Sequence, residues 1–196
     1  QRLRDMDGAV SAYEAAEAAG RALPLDEPSG RYRLQLATTL INAAGLLART
    51  SSVAEGLAKA DEALGLLVDV PEPVRGTARF LKLGAIQNKA SLHLANKEPT
   101  EAEDALSKAF VVGEGLIEAG AAEVVAQVVE VASRWSALMR NAGRAQEAVG
   151  VLEKAARWAQ AALEGGAPHG PRLFVRAQLQ RVDICFALAR FAEAED

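Results

Sequence analysis

The stretch GRAQEAVGVLEKAARWAQ, residues Gly143–Gln160, decides the fold, because its apolar residues recur at helical spacing. Relatives of its central segment EAVGVLEKA (residues 147–155) recur along the chain: EAEDALSKA at 101–109, EGLAKADEA at 55–63, GAVSAYEAA at 8–16 and the terminal EAED at 193–196. Internal similarity at a fixed period is typical of proteins that stack one structural unit. The helix of residues 143–160 is therefore one copy of a repeated unit.

The aligned copies place small residues in two columns, and successive copies are 46 residues apart. The earliest copy is displaced by one residue, at a spacing of 47. We expect these repeat-packing residues to lie where neighbouring helices come closest, because the side chains at a contact set the distance between helix axes. They are Ala9, Gly56, Ala102, Ala148 and Ala194 in the first column, and Ala63, Ala109 and Ala155 in the second.

A further helical pattern precedes each copy, and a short break joins the two. The breaks TSS, NKEP and NAG contain residues that favour turns, whereas longer segments, mostly rich in Pro and Gly, separate the pairs. No segment shows sustained alternation, so the sequence predicts an all-α chain of antiparallel helix hairpins in one domain, 1–196. We expect a second helix of a first repeat at 1–23, full hairpins at 31–68, 74–117 and 121–163, and a partial last hairpin at 170–196.

Composition narrows the classes of partner. The chain has a net charge of −4 and 5% aromatic residues, so we expect no nucleic-acid partner. No apolar run approaches the roughly 20 residues of a membrane span, and we expect no membrane partner. The lone cysteine, Cys185, cannot form an intrachain disulfide, and nothing at the start is typical of a signal peptide. A cytoplasmic location is therefore expected.

The two ends of the chain resemble interior parts of a repeat array. The chain begins at Gln1 rather than at Met and ends within a helical pattern. Neither end has the polar capping helix that stacked repeats usually need for solubility. We therefore expect a fragment of a larger protein, truncated at both ends, that can self-associate through its uncapped ends.

The sequence offers no set of residues that would carry catalysis. His93 and His169 are the two histidines, and they lie too far from each other and from Cys185 in the repeat to form a zinc site. Cys185 falls on a predicted packing face, where a thiol acts as a small apolar group. No phosphate-binding loop occurs. We expect no enzyme activity, no metal and no cofactor.

The second helix of each hairpin carries a small residue, then Leu or an aromatic four places on, then Ala three places later, as in Ala148, Leu152 and Ala155. This signature resembles the second helix of the tetratricopeptide repeat. The first helices match that family only loosely, and the period of 46 residues exceeds the family's roughly 34. The resemblance implies a right-handed superhelical α-solenoid, in which stacked hairpins share one core.

The resemblance further implies that the first helices line a concave groove. Side chains two positions before the small column of the first helices would then face a bound peptide. In family members that bind peptides, asparagine amides at this position grip the peptide backbone, to which an amide can both donate and accept. The groove candidates are Asn42, Asn88, Arg134 and Gln180, with Thr38, Gly84, Glu130 and Arg176 one turn earlier and Gln35, Gln127 and Asp183 nearby.

Two functions are compatible with such a stack. The first is a scaffold module for protein–protein interaction that binds a protein or a peptide in this groove. The alternative is a regulatory or sensor segment of a multidomain signalling protein, such as an ATPase, a protease or a transcription regulator. The polar residues of the column are also compatible with a plain solvated helix face, because an architecture does not determine a function.

Overall fold

The computed structural model describes residues 2–50, 52–167 and 170–195, and within these residues it contains eight α-helices and no strand. About 83% of the chain is helical, which confirms the all-α prediction. Two single turns of 3-10 helix, Glu72–Val74 and Ala122–Val124, lead into α4 and α6. The helices are α1 (Arg2–Arg21), α2 (Arg31–Leu47), α3 (Val53–Leu66), α4 (Arg75–Ala95), α5 (Pro99–Glu118), α6 (Val125–Asn141), α7 (Ala145–Glu164) and α8 (Gly170–Glu195).

The short breaks become tight turns because single residues adopt a left-handed backbone. Gly143 has φ 77° between α6 and α7, and its N–H donates to Arg140 O at 3.0 Å. Lys97 has φ 61° between α4 and α5, a conformation that residues with a Cβ rarely adopt. Pro99 then begins α5, where a missing N–H costs the helix nothing. The breaks NKEP and NAG therefore end helices as the sequence predicts.

The helices group into two compact units, Gln1–Ala105 and Leu106–Asp196, here called unit 1 and unit 2. In unit 1, α2 packs against α1, α3 and α4, and α3 also packs against α4. In unit 2, α7 packs against α6 and α8, and α6 also packs against α8. In each unit, two first helices of neighbouring repeats (α2 with α4, and α6 with α8) thus lie in direct contact.

Large apolar side chains form the core of each unit. In unit 1, Leu36, Leu40, Leu83 and Leu92 are at most 1% exposed. Each such burial stabilises the fold by about 1.5–3 kcal/mol before entropy is counted. In unit 2 the core includes an aromatic cluster, in which the Phe110 ring lies 5.5 Å from Trp135 and 5.4 Å from Trp158, centroid to centroid. The apolar faces of the helices therefore pack within each unit.

Among the repeat-packing residues, Gly56 lies at a close contact between helices. A Cβ on Gly56 would lie 2.6 Å from Leu92 Cδ2 and 3.2 Å from Leu47 Cβ, so this contact has no room for a side chain. Ala9 is half-buried, and the side chain of Ala194 lies outside the described residues. The buried members are Gly56, Ala63, Ala102, Ala109, Ala148 and Ala155.

The last hairpin differs from the expectation for residues 170–196. The sequence places the start of a further second helix at EAED, residues 193–196, but α8 continues as one helix to Glu195. The reason is local, because residues 187–189 are Ala-Leu-Ala, which favour helix, whereas the matching positions of the other copies include Gly143, Asn96 and Ser51. Cys185 is exposed, so its assignment to a packing face was wrong. Its counterpart Met139 on α6 is 2% exposed, because a hairpin turn returns α7 onto α6.

Candidate functional site

In unit 1, the column predicted to line a groove forms a helix-to-helix hydrogen bond. Asn88 on α4 is half-buried, and its Nδ2 donates to the backbone oxygen of Ile41 on α2 at 2.7 Å. A helical carbonyl has a second lone pair free for such a donor. Gly45 leaves space for the amide, because a Cβ at this position would lie 3.1 Å from Asn88 Nδ2. Asn88 therefore joins α4 to α2, while the neighbouring Asn42 is exposed.

In unit 2, the same pair of repeat positions is filled by Gln180 and Ser133, each 92 residues later. The Ser133 hydroxyl lies 2.5 Å from Gln180 Oε1 and 2.7 Å from Val129 O. A hydroxyl carries one proton and donates to one of these oxygens at a time. The contact between α8 and α6 at this point is therefore made by two side chains, rather than by a side chain and a backbone carbonyl.

A second pair of predicted residues also meets between α6 and α8. Arg176 Nη2 lies 2.5 Å from Glu130 Oε2, and the two side chains are 46% and 42% exposed. An ion pair this exposed contributes only about 0–1 kcal/mol. Glu130 and Arg176, which the sequence predicts to face a ligand, therefore pair with each other.

Beside these contacts lies a cavity of about 160 Å³ between α6 and α8. Two serine hydroxyls face it from buried positions, since Ser133 is 6% exposed and Ser136 2% exposed. Arg140 and Asp183 lie at its exposed edge, and neither forms an ion pair within the residues that the structure describes. The complete lining is Ser133, Ser136, Ala137, Arg140, Gln180, Asp183 and Ile184.

The cavity offers both hydrogen-bond donors and acceptors. Ser136 Oγ already donates to Ser133 O at 3.0 Å, which leaves its lone pairs free to accept. Arg140 supplies a permanent cation and Asp183 a carboxylate. The site can therefore take a polar group that both donates and accepts.

Sequence reasoning missed Ser133, Ser136 and Arg140. A signal was present, because the matching positions of α2 hold the apolar residues Ile41, Ala44 and Ala48. A polar residue in a column that is apolar in another copy marks a place where packing has been exchanged for another role.

The remaining groove candidates are dispersed. The Thr38 hydroxyl donates to Leu34 O of its own helix at 2.7 Å. Arg134, Gln127 and Gly84 are half-buried, whereas Gln35 is exposed. Among the groove candidates, Glu130 and Arg176 form an ion pair, and Gln180 and Asp183 line one cavity.

A larger cavity, of about 580 Å³, lies between α7 and α8 in unit 2. Its charged groups have mixed sign, and Gln160 Nε2 donates to Glu164 Oε1 at 2.6 Å on its wall. Phe174 is half-buried and lines this cavity. The lining is Glu153, Ala156, Arg157, Gln160, Ala161, Glu164, Phe174, Gln178 and Arg181.

Unit 1 contains a buried ion cluster that sequence reasoning also missed. Glu17 on α1 is 3% exposed, and both its oxygens accept from Lys59 Nζ of α3 at 2.8 Å. Arg21 adds a third contact to Glu17 at 3.2 Å and reaches Glu62 at 2.7 Å. Burial lowers the pKa of Lys59, but the hydrogen bonds and charge of Glu17, with help from Glu55, outweigh it and hold that pKa above its usual value. The cluster attaches α1 to α3.

His93 stabilises a turn. Its Nδ1 lies 2.8 Å from Glu98 Oε2, across the turn between α4 and α5. The hydrogen bond from His93 lowers the pKa of Glu98, because it favours the ionised carboxylate. His169 lies outside the described residues. Within the described part of the chain, no group of three or more His, Cys, Asp and Glu side chains could hold a metal ion.

Neither a search for membrane-spanning helices nor the comparisons with other proteins assign a function to this chain. Among the residues in ranges 2–50, 52–167 and 170–195, no helix is both long and apolar enough to cross a bilayer. Comparisons of the chain with family models, with curated proteins and with solved structures found no match.

Proposed function

We propose that this chain is a non-catalytic helical-repeat module, similar to the tetratricopeptide repeat, that binds a peptide or an extended protein segment on its first helices. The cavity between α6 and α8 would hold one side chain of that segment. The single observation that carries this proposal is that three polar residues of the cavity lining, Ser133, Ser136 and Arg140, stand at positions that are apolar in the corresponding contact of unit 1. Ser133 serves the contact with Gln180, whereas Ser136 donates within α6 and keeps lone pairs that can accept from a ligand.

The size of the cavity favours a peptide over a free small molecule. About 160 Å³ corresponds to roughly five water molecules, whereas sites for drug-sized ligands are typically about 300–1,000 Å³. One polar side chain of a longer peptide suits this volume. The rest of the peptide would then contact the exposed surfaces of α6 and α8.

The charged residues at the edge of the cavity indicate which peptide side chain could bind in it. Arg140 favours a carboxylate or an amide oxygen, and the lone pairs of the Ser136 hydroxyl accept from an amide N–H. Asp183 at the same edge favours a donor and disfavours a strongly acidic segment. We therefore expect a peptide with a single Asn, Gln, Asp or Glu next to a basic residue, rather than an acidic tail.

The test begins with selection from a random peptide library against the intact chain. The tightest peptide is then titrated by fluorescence anisotropy against the wild type, Arg140→Gln and Arg79→Gln. Arg79 is an exposed arginine of α4, nine residues from Asn88 and so on the opposite side of that helix, which makes it a matched control.

We expect Arg140→Gln to raise the dissociation constant roughly tenfold, and Arg79→Gln to leave it within about twofold. The exposed Asn42 is tested in the same way, with Asn42→Ala against Asn141→Ala as the control. A library that gives no specific binder, or equal binding by the Arg140 and Arg79 variants, contradicts the proposal.

A regulatory segment that responds to a small ligand is a second candidate. The cavity of about 580 Å³ between α7 and α8 favours it, because this volume lies within the usual range for small-molecule sites. A fragment screen by thermal shift tests it, with Arg181→Gln as the variant inside the cavity and Arg140→Gln as the control outside it. Fragments that stabilise both variants equally would remove this candidate.

A further inference from the structure

Helix α8 exposes a continuous apolar face. Val175, Leu179 and Val182 are 53%, 60% and 56% exposed, and together they are called the α8 stripe. Their spacing of four and then three residues places them on one side of the helix. Large apolar side chains exposed together mark an interaction surface more often than single exposed ones do.

The repeat identifies what kind of surface the α8 stripe is. The corresponding positions of α6 are Val129, Ser133 and Ser136, which are at most 6% exposed, and those of α2 are Ala37, Ile41 and Ala44, at most 7% exposed. In both cases a following first helix packs on the helix, α8 on α6 and α4 on α2. The α8 stripe is therefore a helix-packing face, and within the described residues no following first helix covers it.

Charges beside the stripe indicate a suitable occupant. Arg176 and Asp183 lie on the same side of the stripe, and the centre between these two charges falls between Leu179 and Gln180, one residue beyond the middle of the stripe. If two copies of α8 pack antiparallel about a twofold axis through that centre, Arg176 of each copy faces Asp183 of the other. Such a surface is complementary to itself, as a twofold interface requires.

Both charges remain accessible for this contact. Asp183 is exposed and makes no ion pair within the described residues, as stated above. Arg176 is 46% exposed, and only one of its terminal nitrogens contacts Glu130. A guanidinium has five N–H donors, so the other groups can reach a second carboxylate.

We propose that two copies of this chain form a homodimer through the α8 stripe, with α8 antiparallel to α8 of the second copy. Three apolar side chains per copy and two intermolecular ion pairs make a small interface. The dimer is therefore weak and its population depends on concentration. The apolar contact lies outside the cavity between α6 and α8, whereas the ion pair of Asp183 lies at the edge of that cavity.

Sedimentation velocity of the intact chain, from roughly 5 μM to 1 mM, tests the dimer. The wild type should pass from monomer to dimer across this range. Leu179→Lys should remain monomeric, because it places a charge at the centre of the interface. Val111→Lys should dimerise like the wild type, since Val111 is a 63% exposed valine of α5 outside the stripe.

A charge exchange tests the antiparallel register. Asp183→Arg alone places like charges opposite each other and should raise the dissociation constant roughly tenfold, whereas adding Arg176→Glu should restore most of the affinity. Circular dichroism checks that each variant is folded, and Leu179→Lys should bind the selected peptide like the wild type.

A wild type that stays monomeric at 1 mM, or a Leu179→Lys variant that dimerises normally, overturns the proposal. Failure of the double charge variant to recover overturns the antiparallel arrangement and, with it, the proposed interface.

Discussion

The contact between α2 and α4 in unit 1 and the contact between α6 and α8 in unit 2 carry different residues at the same repeat positions. In unit 1, Ile41 and Ala44 face the neighbouring helix, and Leu92 is fully buried. In unit 2, Ser133, Ser136 and Ile184 hold those positions and border a cavity of about 160 Å³. A few exchanges within one backbone pattern thus convert a closed packing contact into a polar recess.

The largest expected difference concerns the two apolar residues at one repeat position, Leu92 in unit 1 and Ile184 in unit 2. Leu92→Ala should cost about 2–5 kcal/mol, towards the upper end, because the surrounding core is closed. Ile184→Ala should cost about 2 kcal/mol or less, because Ile184 already borders a cavity and loses fewer contacts. Urea unfolding of both variants measures the two free energies, and an equal or reversed order would break the comparison.

The ion pairs of the two units provide the next test. Glu17→Gln should cost about 1–3 kcal/mol, because Lys59 is left largely buried with a weaker partner. Arg176→Gln should cost less than about 1 kcal/mol, because its pair with Glu130 is half exposed. Equal losses in urea unfolding would mean that the two units do not differ in how they bury charge.

The Glu17 pair also predicts a dependence on pH. The folded-state pKa of Lys59 is raised, so its stabilisation is fully present below the ordinary lysine value of 10.5 and is lost as the pH rises through the folded-state value. The difference in stability between the wild type and Glu17→Gln should be constant from about pH 7 to 9 and should narrow above about pH 10.5. A difference that stays constant up to pH 12 would contradict the assignment of Lys59 as its partner.

A smaller effect is expected at the inter-helix amides. Asn88→Ala removes the bond to Ile41 O and should cost about 1–1.5 kcal/mol. Gln180→Ala should cost less, because water in the adjacent cavity can satisfy the Ser133 hydroxyl. Thermal and urea unfolding of the two variants checks this order, and a larger loss for Gln180→Ala would show that unit 2 is the more tightly packed contact.

The smallest effect tests the space that Gly45 leaves for Asn88. In the Asn88→Ala background, Gly45→Ala should stabilise the chain by about 0.5–1 kcal/mol, through higher helix propensity. With Asn88 present the gain should be smaller, because the new Cβ would lie 3.1 Å from Asn88 Nδ2. A double-mutant cycle measures this coupling, and its absence would place the amide elsewhere.

The sequence predicts much of the fold, because the period of 46 residues and the turn residues indicate the hairpin helices to within a few positions. The resemblance to the tetratricopeptide repeat further implies that Asn88 and Gln180 face a bound peptide, which stays a prediction. The sequence could not predict that their amides contact a neighbouring helix, because a spacing along the chain contains no distance between helices. Glu17 was missed for the same reason: an acid on an alanine-rich helix gives no sign of what will cover it. Cys185 was misplaced because the repeat predicted a second helix where α8 continues.

Hydrogen–deuterium exchange of the chain, with and without the library-selected peptide, tests the central claim most directly. If unit 2 uses the altered contact as a binding site, the peptide should slow exchange in α6 around residues 133–140 and in α8 around residues 180–184. Exchange in α3 should be unchanged. Protection confined to α3, or to the side of α7 away from α6, would contradict the account.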